Sequence, residues 1–315
     1  MIRWVSFFLI LGVAYTFVEP EYQGLVDMRY LKSRFVYQGL GTFAVSDYQL
    51  DLKLPLNKNT LVFSETHLTT AYGQIASQIY VDMDGFFFPG NVQIGRFRIP
   101  FGLEKSYQWD RRFIISSLLT DEQWVSGAYL MPREENGVRY YYRSRAFSTS
   151  VFLVNGKGDY VQTLNPSQGK SFGGTFRGIV KDFLDIGVSL YYNNLSDLIW
   201  TNSTQQYFLG EMDGHFRWLA LDATGGVLCV TGQRNGVGTS ALGLSGEAVI
   251  QWEPNISFGS QASMMRWSGG SNDYRLLFIS TYQFRPDTML RGEGSIESSS
   301  GVLNYQVQLQ MLVRI

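Results

Sequence analysis

From Leu303 to Met311 the chain alternates without a fault. Leu303, Tyr305, Val307, Leu309, Met311 and Val313 stand against Asn304, Gln306, Gln308 and Gln310. A period of two is a β-strand with one apolar and one polar face. The pattern recurs where Leu184, Ile186, Val188 and Leu190 alternate with Asp185, Gly187 and Ser189. It recurs again where Tyr48, Leu50, Leu52 and Leu54 face Gln49, Asp51 and Lys53, and where Ile79, Val81 and Met83 face Gln78, Tyr80, Asp82 and Asp84. A soluble sandwich also alternates, so the connections between runs have to decide.

Sixteen strand-like runs are readable: 22–33, 43–54, 60–71, 74–88, 91–99, 135–143, 145–154, 170–180, 183–194, 204–217, 218–231, 240–252, 255–267, 273–285, 288–298 and 302–313. Links from even to odd runs are tight, as at Ser144, Lys181-Asp182, Glu253-Pro254 and Pro286-Asp287. Links from odd to even runs include the long ones, 34–42, 100–134, 155–169 and 195–203. Short turns at one end and longer loops at the other describe a transmembrane antiparallel β-barrel. The predicted fold is therefore all-β, a barrel of about sixteen strands, a number that leaves an aqueous lumen. The connection 100–134 is far longer than the rest, and such a loop in a compact domain is usually functional. It is predicted to fold into the mouth as a constriction.

The remaining composition fits. The chain holds 19 Tyr, 22 Phe and 33 Gly, and its hydrophobic fraction is only 45%, which suits a wall with lipid on one face and water on the other. Net charge is −1, so no global field points to nucleic acid. The single Cys229 allows no internal disulfide or cysteine metal cluster, and neither cofactor nor metal is expected. Arg3, the apolar run Trp4–Leu11 and the small residues around Ala14 have the layout of a secretory signal, with an uncleaved anchor as the alternative. Residues 1–16 are predicted to be the signal and 17–315 one barrel domain. No later run has the length of a transmembrane helix, so a membrane location requires a closed barrel.

With the apolar parity outward, Asp51, Lys53, Asp82, Asp84, Arg177, Glu211, Asp213, Glu247, Arg291 and Glu293 fall on the lumen side. Between Val92 and Lys181 stand thirteen Lys/Arg against seven Asp/Glu, which would set a basic wall against an acidic one. The fifth run has a parity fault: Val92 and Ile94 are apolar on one parity, Phe97 and Ile99 on the other. A β-bulge at Gly95 would turn Asn91, Gln93, Arg96 and Arg98 together into the lumen. With Arg139, Arg143 and Arg177 these arginines would form a guanidinium strip for anions. Lys105, Arg111 and Arg112 would stand at the eyelet, with Trp109, Phe113 and Trp124 packing the loop onto the wall.

Val92-Gln-Ile-Gly-Arg-Phe-Arg-Ile-Pro-Phe-Gly-Leu-Glu104 resembles the fifth-strand signature of the phosphate-selective porin O and P family. The resemblance implies a trimeric sixteen-stranded porin of the bacterial outer membrane, in contact with outer-membrane lipid. It implies passive diffusion of small polar or anionic solutes such as phosphate. Residue by residue it carries over to Gly95, Arg96, Arg98, Pro100, Phe101, Gly102 and Glu104.

Equipment for catalysis is sparse. His67 and His215 are far apart, no serine has a nucleophile context, and no enzyme activity is expected. His215 with Glu211 and Asp213 on one strand face would be a polar lumen cluster. A non-selective general porin is the nearest alternative reading, followed by a barrel hydrolase and a structural or adhesive surface protein.

Overall fold

A computed structural model describes residues 20–33, 41–69, 73–85, 89–102, 124–125, 128–129, 134–155, 170–197, 203–234, 236–299 and 301–315. The signal segment 1–16 lies outside the described residues.

The strands are β1 (Glu21–Ser33), β2 (Gly41–Asn57), β3 (Thr60–Thr69), β4 (Gly73–Asp84), β5 (Asn91–Arg98), β6 (Trp124–Val125), β7 (Ala128–Tyr129), β8 (Glu134–Arg143) and β9 (Phe147–Val154). They continue with β10 (Ser171–Lys181), β11 (Leu184–Asp197), β12 (Ser203–Trp218), β13 (Leu221–Arg234), β14 (Val237–Glu253), β15 (Ile256–Trp267), β16 (Asn272–Arg285), β17 (Thr288–Ser299) and β18 (Val302–Arg314). All but β6 and β7 form one closed antiparallel barrel of sixteen strands, sealed by β1 against β18. Each predicted run corresponds to a barrel strand. The short β6–β7 hairpin inside the long connection was not anticipated.

Local chemistry sets the two ends apart. Connections on one side are two to six residues long. At the β8–β9 turn the Ser144 hydroxyl accepts the N–H groups of Ala146 and Phe147, 3.2 and 3.0 Å away, closing the turn without glycine. Register shifts cluster beside these turns, at Pro55/Asn57, Ile179/Lys181, Gln251/Glu253 and Gln283/Arg285. Pro55 has no N–H to donate, and a bulge next to the turn is where a strand tolerates that. The strand ends joined by the long connections, 34–40, 99–133 and 155–170, are all at the other end.

The side-chain parity follows the alternation. Leu303, Tyr305, Val307 and Leu309 are exposed on the outer face, whereas Gln308 and Gln310 are buried inside. The outer face as a whole carries exposed Phe, Leu, Ile, Val and Met from β8 round to β18. An apolar surface so extensive is a lipid-facing one, not a water-facing one. Trp218 and Trp252 stand exposed at the turn end, where indole rings suit the membrane interface. Tyr140 is anchored there by its hydroxyl, which donates to the Pro89 carbonyl at 2.7 Å.

The inner wall is not uniformly polar. Phe152, Val154, Tyr191, Tyr207, Leu209, Leu228, Val230, Ala241 and Met265, on β9 and β11–β15, form a buried apolar cluster on the loop-side half of the lumen. Phe97, Ile99 and Phe101 belong to it.

That cluster explains a correction at Gly95. β5 pairs with β4 and β8 in unbroken register, Tyr80↔Gly95↔Gly137, with no bulge. Gly95 instead takes a φ of +136°, and a Cβ there would lie 2.8 Å from the Tyr80 Cα. Phe97 thus stays on the inward parity with Gln93, while Arg96 and Arg98 share the outward parity of Val92 and Ile94. The bulge was expected because apolar residues were equated with the lipid side. Here the lumen wall is itself apolar, and Phe97 belongs inside.

Candidate functional site

After Arg98 the chain reaches Pro100, which has no N–H for the ladder, and leaves the wall. It crosses inward. The Gly102 N–H donates to the Ser189 hydroxyl on β11 at 2.9 Å, although Gly102 follows β5, four strands away around the barrel. Gly102 has a φ of +65°, and a Cβ there would lie 2.5 Å from a carboxylate oxygen of Glu211 on β12. Glycine takes this left-handed φ without strain and leaves the carboxylate its place. Phe101 and Ile99 are buried in the apolar cluster. The long connection therefore begins inside the lumen, as the sequence pattern predicted. Glu104, Lys105, Trp109, Arg111, Arg112 and Phe113 lie outside the described residues, as does the Trp124 side chain.

The predicted arginine strip separates into three environments. Arg96 and Arg98 meet Glu134, at 3.7 and 3.4 Å, and the register puts them on the parity of Ile94. Arg96 is nonetheless buried, and Arg98 lines a small recess described below together with Arg139 and Gln93. Arg177 faces inward but binds Asp185 and Asp213 together. Arg139 faces inward with its Nε donating to the Ser150 hydroxyl at 2.9 Å and a terminal nitrogen donating to Gln93 Oε1 at 3.2 Å. No carboxylate pairs with it among the described residues. Arg143 is exposed near the turn end of β8.

Beside Arg139, Asp82 is already satisfied. It accepts from Asn91 Nδ2 at 3.0 Å, Gln93 Nε2 at 2.9 Å and the Tyr141 hydroxyl at 2.7 Å. Sequence reasoning placed Asp82 inward without these partners. Their signal was present in the shared inward parity of Asn91, Gln93 and Tyr141, which the register makes neighbours. Ser189 and Ser150 were missed, since an inward serine carries no pattern of its own.

His215 also finds different partners. Asp185 approaches its Nδ1 at 3.3 Å and Asp222 its Nε2 at 2.6 Å, whereas Glu211 and Asp213 were expected. Same-face residues along one strand stand about 7 Å apart, while register partners are about 5 Å apart. Asp185 is the register partner of His215. Arg217 joins at 3.4 Å from Asp222, giving an ionic cluster near the turn-end mouth with Arg177 in it.

This geometry has close parallels among solved structures. The anion-selective porin from Comamonas acidovorans superposes with a TM-score of 0.70 at 12% identity, over 94% of this chain and 99% of that one. The fold is that of a porin. A loop-deletion mutant of OmpT, an outer membrane protein of Vibrio cholerae, has the same TM-score of 0.70 at 9% identity, over 94% of this chain and 99% of that one. OprB of Pseudomonas putida, at high pH, gives 0.67 at 10% identity over 99% and 97%. No protein-family model matches the chain, and no curated protein matches it. At such identities the likeness establishes the porin fold and leaves the solute open.

Proposed function

We propose that this protein is a channel of the bacterial outer membrane, passing small hydrophilic solutes by passive diffusion. The observation that carries this reading is the inward turn at Pro100, with Gly102 hydrogen-bonded to Ser189 inside a closed barrel. A barrel serving only as scaffold or adhesive surface has no use for a segment narrowing its lumen, and a hydrolase needs a nucleophile beside a base. Single-channel recording of purified protein in a planar bilayer tests it. Discrete conductance steps support the channel, and a silent bilayer with folded protein sinks it.

A lean toward anions such as phosphate is the finer reading, supported by Arg139, whose partners are neutral. Arg143 would extend the path toward the turn end, and Lys105, Arg111 and Arg112 would stand at the constriction. Arg177, held between two aspartates, contributes little free charge. A homotrimer surrounded by outer-membrane lipid completes the proposal. Reversal potentials in a KCl gradient decide the ion preference, and a cation preference would remove the anion reading while leaving the channel.

A further inference from the structure

Under the inward turn lies a half-enclosed recess of about 240 Å³, bounded by β4, β5 and β8 on one side and residues 99–102 on the other. Arg139, Gln93, Gln78 and Tyr80 give it a polar side, with Arg98 held by Glu134, and Phe97, Ile99 and Phe101 an apolar one. Its size falls below that of pockets for drug-sized ligands, ~300–1,000 Å³.

Arginine has five N–H donors in a planar fork. Two of those on Arg139 are used, on Ser150 and Gln93, and both acceptors are neutral. The Tyr141 ring lies 4.8 Å from its guanidinium carbon, which fixes the plane further. The guanidinium is thus held in place without losing its charge to a partner. Asp82 makes no ion pair with Arg139: its oxygens accept from Asn91, Gln93 and Tyr141, and it acts on the guanidinium only across a distance, with a repulsion toward a bound anion that grows with that anion's charge.

We infer that this recess binds a small monocarboxylate with a short hydrocarbon tail, the carboxylate on Arg139 and the tail against Phe97, Ile99 and Phe101. The inference rests on the channel reading and specifies the solute class at one station along it. A carboxylate matches the arginine fork in two parallel bonds. One guanidinium balances one negative charge. A dianion such as phosphate would meet the same single charge, with the Asp82 carboxylate close by and Arg98 already paired to Glu134. Chloride has no tail for the apolar side. A single shallow station also suits permeation, which requires binding weak enough to release.

The test uses butyrate, acetate and inorganic phosphate as probes against chloride current through the whole protein in a planar bilayer. Butyrate is expected to interrupt the current at lower concentration than acetate or phosphate. Arg139→Gln should require about ten-fold more butyrate, the loss of one charge-assisted pair, and Arg139→Lys should fall between. Heat-modifiable migration of each variant on a gel reports that the barrel has formed. If phosphate acts at lower concentration than butyrate, the ligand class is wrong. If butyrate acts equally on native protein and Arg139→Gln, the site is wrong and the channel stands. If folded protein passes no current, the channel reading fails; butyrate line broadening by the detergent-folded barrel, lost or retained in Arg139→Gln, then decides the recess separately.

Discussion

The backbone N–H of Gly102 and the hydroxyl of Ser189 are 2.9 Å apart, which ties the start of the long connection to a strand on another part of the wall. The positive φ of Gly102 favours glycine, and a Cβ there would stand 2.5 Å from the Glu211 carboxylate. Gly102→Val should therefore push the segment off the wall. A β-branched residue at such a φ costs on the order of 1–3 kcal/mol, and the added methyl groups meet Glu211. Single-channel conductance should rise while the barrel still forms. Gly102→Ala combined with Glu211→Ala should recover part of the native conductance, since it removes the collision but keeps the backbone strain. An unchanged conductance in Gly102→Val would place the segment outside the permeation path.

The inward row Gly95–Gly137 makes a different demand, on the wall itself. A Cβ on Gly137 would collide with the Leu153 carbonyl oxygen and stand 2.9 Å from the Val154 Cα. Gly137→Ala should cost roughly 1–3 kcal/mol, as overpacking does. Urea titration of the lipid-reconstituted barrel reads it. Gly246→Ala is the control, because nothing lies within 4 Å of a Cβ at that position. Equal midpoints for the two variants would contradict the close approach of β8 and β9.

Arg177 bridges Asp185 on β11 and Asp213 on β12. The Asp213 side chain is 1% exposed and that of Arg177 22%. Removing the guanidinium leaves two carboxylates facing each other in the lumen. Breaking a fully buried pair costs about 3–5 kcal/mol, and the partial exposure of Arg177 puts Arg177→Gln at the lower end or below it. Reversal potentials should move toward cations in Arg177→Gln and toward anions in Asp213→Asn. If neither variant shifts them, the cluster lies outside the ion path.

Much of this was legible in the sequence, for identifiable reasons. Each barrel strand corresponds to one of the strand-like runs, and the clearest of them alternate because lipid outside and polar groups inside impose a period of two over most of the wall. The inward turn was legible in the length of the connection after Pro100. The reading failed where that contrast disappears. Phe97 and Ile99 look lipid-facing in one dimension, yet they pack onto the apolar inner wall formed by Tyr207, Leu228 and Met265. Arg96 and Arg98 look lumen-facing, yet the register puts them on the outward parity with Glu134. The partners of His215 and Arg177 failed for another reason. They depend on which residues three adjacent strands bring abreast, and that register is not written in any single strand.

Leu309 and Gln308 offer the sharpest test of the wall itself, being adjacent in sequence and opposite in facing. Leu309 is exposed on the outer face, near the middle of β18, and Gln308 is 6% exposed on the inner face, opposite Glu293 in register. A lysine on the lipid face near the bilayer midplane costs about 2–4 kcal/mol. Leu309→Lys should show that loss in a urea titration of the reconstituted barrel, together with slower insertion into vesicles. Gln308→Lys places its ammonium beside Glu293, where opposite charges across a strand pair stabilise by about 0.2–1 kcal/mol. Its midpoint should equal or exceed that of the native protein. The two substitutions are identical in chemistry and one residue apart, so composition and net charge cannot account for a difference between them. If both destabilise the barrel equally, or the order is reversed, the inward and outward faces of β18 have been assigned the wrong way round.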